Sequence, residues 1–291
     1  MYDVRTLGRA GVLALALGAG VAGAARPGEA QSWRTFTSAR QLHGQKGLDV
    51  AVEYGAGKLT VAPADRAKLY DFRLRYDAAQ FTPVSDYDPA TGRLRLSVQP
   101  RDRKKGARVD GIDAESRAQV RLTPEIPTAL DLRFGAGEAD VDLGGMALRS
   151  LRVSTGASET RVSFKTPNRV GATSVEMEAG AASFRATGLG NARAERFEFE
   201  GGVGETVLDF GGTWTRSATA TIRMGIGSLT LRLPRGVGVR VVKESFMTSF
   251  DGEGLVKRDG AFYSRNWDRA PHKLTVNIEA ALGSIDVDWI N

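Results

Sequence analysis

The sequence contains no cysteine and only two histidines among its 291 residues. The lack of cysteine excludes a disulfide frame, a thiolate metal site, a thiol nucleophile and a lipidated cysteine. His43 and His272 stand far apart and isolated, so neither a histidine-based metal site nor a Ser-His-acid triad is expected. Long hydrophobic runs are also scarce. The most apolar stretch, Gly11–Gly23 (GVLALALGAGVAG), falls short of the roughly 20 residues a membrane helix needs. It follows Arg5 and Arg9 and precedes small residues that allow cleavage after Ala24 or Ala30. Residues 1–30 therefore have the pattern of a signal peptide. That predicts an exported chain, periplasmic, cell-surface or extracellular, with no integral membrane span after cleavage. The formal charge of +6 falls to about +5 on either cleavage, since each removed segment loses one net positive charge (+6 − 1). Spread over the mature chain, this charge is too diffuse to indicate nucleic acid.

What the sequence does have is glycine, 35 residues, or about 12% against an average near 7%. These glycines are not linker filler, because they recur at fixed places. A unit of alternating apolar residues, a Gly-containing turn and alternating apolar residues again reads LDLRFGAGEADVDL (130–143), LRVSTGASETRVSF (151–164), VEMEAGAASFRA (175–186), FEFEGGVGETVLDF (197–210) and ATIRMGIGSLTLRL (220–233). Its anchors, Gly135, Gly156, Gly180, Gly202 and Gly225, are 21, 24, 22 and 23 residues apart. Gly137, Gly204 and Gly227 follow two positions later. A sixth copy, VNIEAALGSIDVDW (276–289), keeps only Gly283, and a seventh stands upstream at Gly55 and Gly57.

The alternation on each flank marks half-buried strands. One inward column reads Leu132, Val153, Met177, Phe199, Ile222, Ile278, and another reads Val141, Val162, Ala186, Leu208, Leu231, Val287. The two sets differ by an odd number of positions, so the chain changes parity at the turn, where glycine supplies the backbone freedom. Stacking such units buries a continuous core. The expected fold is all-β: a β-solenoid, right-handed and β-helix-like, of Gly-turn repeats over 129–291, after a β-rich N-terminal section over 31–128. Periodicity alone leaves a meander of antiparallel hairpins open. Two stretches depart from the repeat. One is a basic loop at 101–108. The other is an insertion at about 236–272 that carries Phe246, Met247, Phe250, Phe262, Tyr263 and Trp267.

GAGKLTV near the start, IPTALDLRFGAGEADVDLGGMALRSLRVSTGASETRVSF in the middle and LPRGVGVRV…GSIDVDW at the end make the chain similar to the bacterial toast-rack proteins. These are related to the C-terminal domains of LiaF-type envelope-stress proteins and to adhesin-like domains. The resemblance covers most of the mature chain and rests on structural motifs. It implies a secreted or envelope-associated β-solenoid without known catalytic residues. The membrane helices of LiaF-type proteins have no counterpart here, which puts membrane-embedded signalling in doubt.

No convergent polar site stands out. The Gly-x-Gly turns lead into strands, whereas a dinucleotide fingerprint needs a helix at the pyrophosphate. Asp140 with Asp142, and Asp286 with Asp288, share strand faces and could bind calcium or cleave a polysaccharide, yet Arg161 and Arg185 occupy the column of Asp140. The recurrent Glu138, Glu159, Ser183, Glu205, Ser228 and Ser284 after the turn form either a binding stripe or local turn chemistry. The strands are too short for an outer-membrane barrel. The sequence thus predicts a non-catalytic envelope or surface module, adhesin-like or sensing, without cofactor or metal. Its partner would be an envelope glycan, lipid or protein, and the six residues of the insertion are the candidate patch, unless they cap the stack. The alternatives are a carbohydrate-active β-helix enzyme and a scaffold that self-associates into homo-oligomers through a terminal strand.

Overall fold

The computed structural model describes residues 32–101 and 115–291. The candidate signal peptide and the basic loop beyond Arg101 lie outside the described residues. The chain begins with β1 (Trp33–Gln41), β2 (Leu48–Pro63), β3 (Lys68–Asp77), β4 (Phe81–Asp88), β5 (Arg93–Pro100) and β6 (Arg117–Leu122). The long strands β7 (Thr128–Asp142), β8 (Leu148–Ser163), β9 (Ala172–Thr187), β10 (Ala194–Asp209) and β11 (Ala218–Pro234) follow. It ends with β12 (Gly238–Asp251), β13 (Leu255–Arg258), β14 (Ala261–Ser264) and β15 (Lys273–Ile290). Among the described residues there is no α-helix, only one short 3₁₀ turn at Leu189–Ala192.

Eight strands stack in the order β2, β7, β8, β9, β10, β11, β15, β12, each parallel to the next. Parallel pairing across consecutive repeats makes this a solenoid and rules out the meander of hairpins. Each strand is one rung that bends at a corner, a glycine motif in all but β12, into a limb before the corner and a limb after it. Register places like residue over like: Leu132 pairs with Val153, Val153 with Met177, Met177 with Phe199, Phe199 with Ile222, and Ile222 with Ile278. All six are buried in one continuous core.

The corner glycines serve two purposes. Gly57, Gly137, Gly204, Gly227 and Gly283 have positive φ, which turns the chain and switches its inward parity. Gly135, Gly156, Gly202 and Gly225 have ordinary φ, but a Cβ on any of them would collide with the carbonyl oxygen of the rung below. In β8 and β9 the second glycine is replaced by Ser158 and Ala182, and the ladder between these strands lapses across the corner.

Buried asparagines fasten the loops that return the chain from rung to rung. Asn168 donates to the carbonyls of Leu148 (2.9 Å) and Ala192 (3.1 Å) and accepts from Leu148 N–H (2.8 Å). One repeat later, Asn191 donates to Phe164 O (2.9 Å) and accepts from Thr213 N–H (2.8 Å).

The two ends of the stack are closed differently. At the start, β5 pairs with the first limb of β2 and carries β4, while β6 pairs with the second limb and carries β3 and β1. On β3, the Lys68 ammonium at 2.6 Å holds the covered Asp71 carboxyl below the usual carboxylate range. At the far end, spatial order departs from sequence order, because β15 inserts between β11 and β12. The stretch expected as an insertion at about 236–272 therefore begins with a full rung, β12, and only its later part forms the β13–β14 hairpin. That rung escapes the repeat pattern because Phe246-Met247-Thr248 stand where other rungs have Gly-x-Gly, and because Lys243 occupies the column of Ile278.

Candidate functional site

Four aromatic residues of the 236–272 stretch, Phe250, Phe262, Tyr263 and Trp267, cluster at the last rung. Phe250 of β12 and Phe262 of β14 pack with ring centroids 4.7 Å apart, half-buried against the core. Tyr263 meets Trp267 edge-to-face at 5.5 Å. Cations cover both rings, with Arg258 lying 4.4 Å from the Tyr263 centroid and Lys273 5.0 Å from that of Trp267. Phe246 lies on β12 at the position that Ala281 holds in β15. Of the candidate residues whose side chains are described, Met247 alone ranks among the strongly exposed large hydrophobics, at 62%.

Met247 does not stand alone. The middle residue of each corner motif points outward, and the parallel register lines these residues up along the stack. Ala56 pairs with Ala136 and Ala136 with Ala157. Ala181 pairs with Val203, Val203 with Ile226, Ile226 with Leu282, and Leu282 with Met247. The side chains therefore grow from alanine through valine, isoleucine and leucine to methionine toward the last rung. Val203, Ile226 and Leu282 are 55%, 50% and 43% exposed. With Met247, they account for four of the five exposed large hydrophobics among the described residues. An isolated exposed valine needs no explanation, but a registered row of four does.

Beside this ridge runs a groove. The first glycines of the motifs, Gly55, Gly135, Gly156, Gly180 and Gly202, line a hollow of about 810 Å³, and Gly225 and Ala281 line a second of about 630 Å³. Its outer side carries the last outward residue of each first limb: Glu53, Arg133, Ser154, Glu178, Glu200, Arg223, Glu279 and Glu244. Arg223 is held between Glu200 (2.9 Å) and Glu279 (3.4 Å). At the N-terminal end, the Tyr54 hydroxyl is bonded to Ser116 Oγ at 2.7 Å, and burial pushes its pKa up to about 12. Across the ridge stands the Glu/Ser stripe, flanked by Lys58 and Ser249: Glu138, Glu159, Ser183, Glu205, Ser228 and Ser284. Lys58 lies 3.1 Å from Glu138 and lowers that carboxyl's pKa.

The paired aspartates sit on the outer face of the second limbs; Asp286 accepts from Ser284 Oγ at 3.2 Å, and the other three lie against cations. Asp142 bonds Lys165 at 2.9 Å, Asp140 lies 3.6 Å from Arg161, and Asp288 lies 3.8 Å from Arg232. No group of three or more acidic or histidine side chains among the described residues is arranged to hold a metal ion. His43 is an exposed loop residue.

Residues 27–186 match the family described as the N-terminal domain of toast_rack, DUF2154. No curated protein sequence matches the chain. Among solved structures, a "putative cell adhesion protein" of Clostridium sporogenes is similar at 17% identity and a TM-score of 0.49, over 89% of this chain and 100% of that one. A "putative adhesin" of Bacteroides fragilis is similar at 11% identity and a TM-score of 0.37, over 88% and 97%. A "putative lipid binding protein" of Parabacteroides distasonis is similar at 11% and 0.35, over 89% and 97%. Likenesses at this level say nothing of what this chain binds. The family match ends within β9, so the rungs that carry Val203, Ile226, Leu282 and Met247 lie beyond it.

Proposed function

This chain belongs to the toast-rack family, and from that premise we propose that it is an exported, non-catalytic binding module, adhesin-like, whose contact surface is the ridge and groove along the solenoid corner. The observation that carries the proposal is the registered row Val203, Ile226, Leu282 and Met247. Each of these side chains is flanked in sequence by the corner positions and stands clear of the core. Water-exposed aliphatic groups of this size gain by burial at roughly 25 cal/mol per Å², so a fold that aligns four of them holds a driving force for association. Support for a non-catalytic role comes from Asp142, Asp140 and Asp288, which lie against Lys165, Arg161 and Arg232. Support for export comes from Arg5, Arg9 and the apolar run after them. No helix among the described residues is long and apolar enough to cross a membrane.

The purified chain is expected to co-sediment with isolated cell-envelope fragments. The variant V203S/I226S/L282S/M247S should bind at least about tenfold more weakly, as expected when a central apolar cluster is removed. Its circular dichroism should be unchanged, because the replaced side chains lie outside the core. Equal binding by the variant would remove the corner from the contact surface. Turnover of a glycan polymer that disappears in Asp142→Ala would overturn the non-catalytic reading.

A further inference from the structure

We infer that the partner of this corner is a second copy of the same chain, docked side by side with its rungs at equal height, so that the ridge of each copy seats in the groove of the other. The inference rests on the reading of the corner as a contact surface and adds the identity of what covers it. Ridge and groove run next to each other along the stack. One two-fold rotation about an axis parallel to the stack exchanges them, which is the self-complementarity a symmetric dimer requires.

Charge favours that arrangement at two rungs and opposes it at one. In such a pair, the outward column before the corner of one copy faces the column after the corner of the other. Glu53 then meets Lys58, Arg133 meets Glu138, and Glu279 meets Ser284. Of the eight facing positions, Glu200 against Glu205 is the one like-charged pair, and Arg223 on the neighbouring rung already neutralises Glu200. An antiparallel pairing, ridge on ridge, would set Glu200 against Glu244 and Arg223 against Glu279, and would leave the groove of each copy unfilled. The ridge alone is smaller than the roughly 800 Å² per partner that a stable dimer takes, so the groove and both polar columns must contribute.

Two other occupants fit less well. The outer edge of β12 is already occupied by β14 at Arg240 and Val241, and strand addition to the remainder is opposed by Lys243, which points into the column of Ile278, donates to Ser245 Oγ at 2.8 Å and lies 5.6 Å from the Phe250 ring centroid. Inward charge on an end strand is a known block to further pairing. An anionic lipid surface would face Glu200, Glu205, Glu244 and Glu279 around the tallest part of the ridge, with Arg223 as the one cation in those two columns there.

Sedimentation velocity tests this directly. The purified protein should pass from monomer to dimer with rising concentration, and the dimer should dominate by about 100 μM. Arg133→Glu and Glu138→Arg should each shift the transition at least about tenfold higher, whereas an equimolar mixture of the two variants should recover the dimer as a heterodimer. Ile226→Asp should abolish the dimer in every background, with an unchanged melting temperature confirming the fold. A wild-type monomer at all concentrations would overturn the inference, as would a mixture that fails to recover the dimer. Ridge-dependent binding to phosphatidylglycerol vesicles by a protein that stays monomeric would reassign the corner to a lipid surface. If the protein is monomeric but V203S/I226S/L282S/M247S still loses envelope binding, the dimer fails and the contact surface stands. If neither effect is seen, both fail.

Discussion

Replacing Gly227 with alanine should destabilise the protein by about 3–5 kcal/mol, by backbone strain and overpacking together. Gly227 has φ +148°, where an L side chain is strained, and its Cβ would fall against the carbonyl oxygen of Gly204. Relief by local movement is blocked on the other side as well, because Gly283 of the next rung packs just as closely on the carbonyl of Gly227. The clash therefore passes to both neighbouring rungs, β10 and β15. Urea unfolding followed by circular dichroism would measure the effect. Gly236→Ala is the control, since a Cβ there meets nothing within 4 Å and its φ is not positive. It should leave the midpoint unchanged within error. Equal midpoints for Gly227→Ala and Gly236→Ala would contradict the stacked-corner account.

Asn168→Leu should have a comparable effect, about 4 kcal/mol, by a different route. Leucine fills a similar volume but makes no hydrogen bonds, so Leu148 N–H, Leu148 O and Ala192 O each lose a partner inside the core. Each buried group left unsatisfied costs about 1–3 kcal/mol. Because Asn168 joins the loop after β8 to the start of β8 and to the loop after β9, the loss loosens two repeats at once. Hydrogen exchange should show new opening in the loops around 146–148 and 190–193 before the rest of the stack. Wild-type protection at Leu148 in the variant would remove Asn168 from its fastening role.

These two residues mark what was legible in the sequence and what was not. Glycine spacing gave the corners, and period-two alternation gave the inward columns. The register from Leu132 to Ile278 follows only once the rungs are known to pair in parallel, which periodicity alone leaves undecided against a meander of hairpins. The asparagines were missed, although Asn168 and Asn191 lie 23 residues apart, close to the repeat length. The rung β12 could not be recognised from a glycine pattern, because its outer side stacks under no further rung and its corner dispenses with glycine. Its position beyond β15 is a matter of chain crossing, which local pattern does not encode. The ridge was readable: the middle residues of the motifs run Ala56, Ala136, Ala157, Ala181, Val203, Ile226, Leu282. A middle residue of a Gly-x-Gly motif adds nothing to the period-two pattern, whereas the aromatic residues of the last rungs stand out by composition, and Phe250 and Phe262 pack against the core.

The contact surface can be tested where the protein works, through its methionines. Met146, Met177 and Met224 are buried at 1%, 1% and 8% exposure, so Met247 is the fast-reacting thioether among the described residues. Oxidation to the sulfoxide follows exposure. Brief peroxide treatment of the dilute purified chain, followed by mass spectrometry, should oxidise Met247 well ahead of the other three. The same treatment of intact cells should find Met247 protected by at least about fivefold relative to the dilute protein, as for a thioether covered by a partner. Equal rates in cells and in dilute solution would mean that nothing covers the corner, and the account of this protein as a module that binds through it would be wrong.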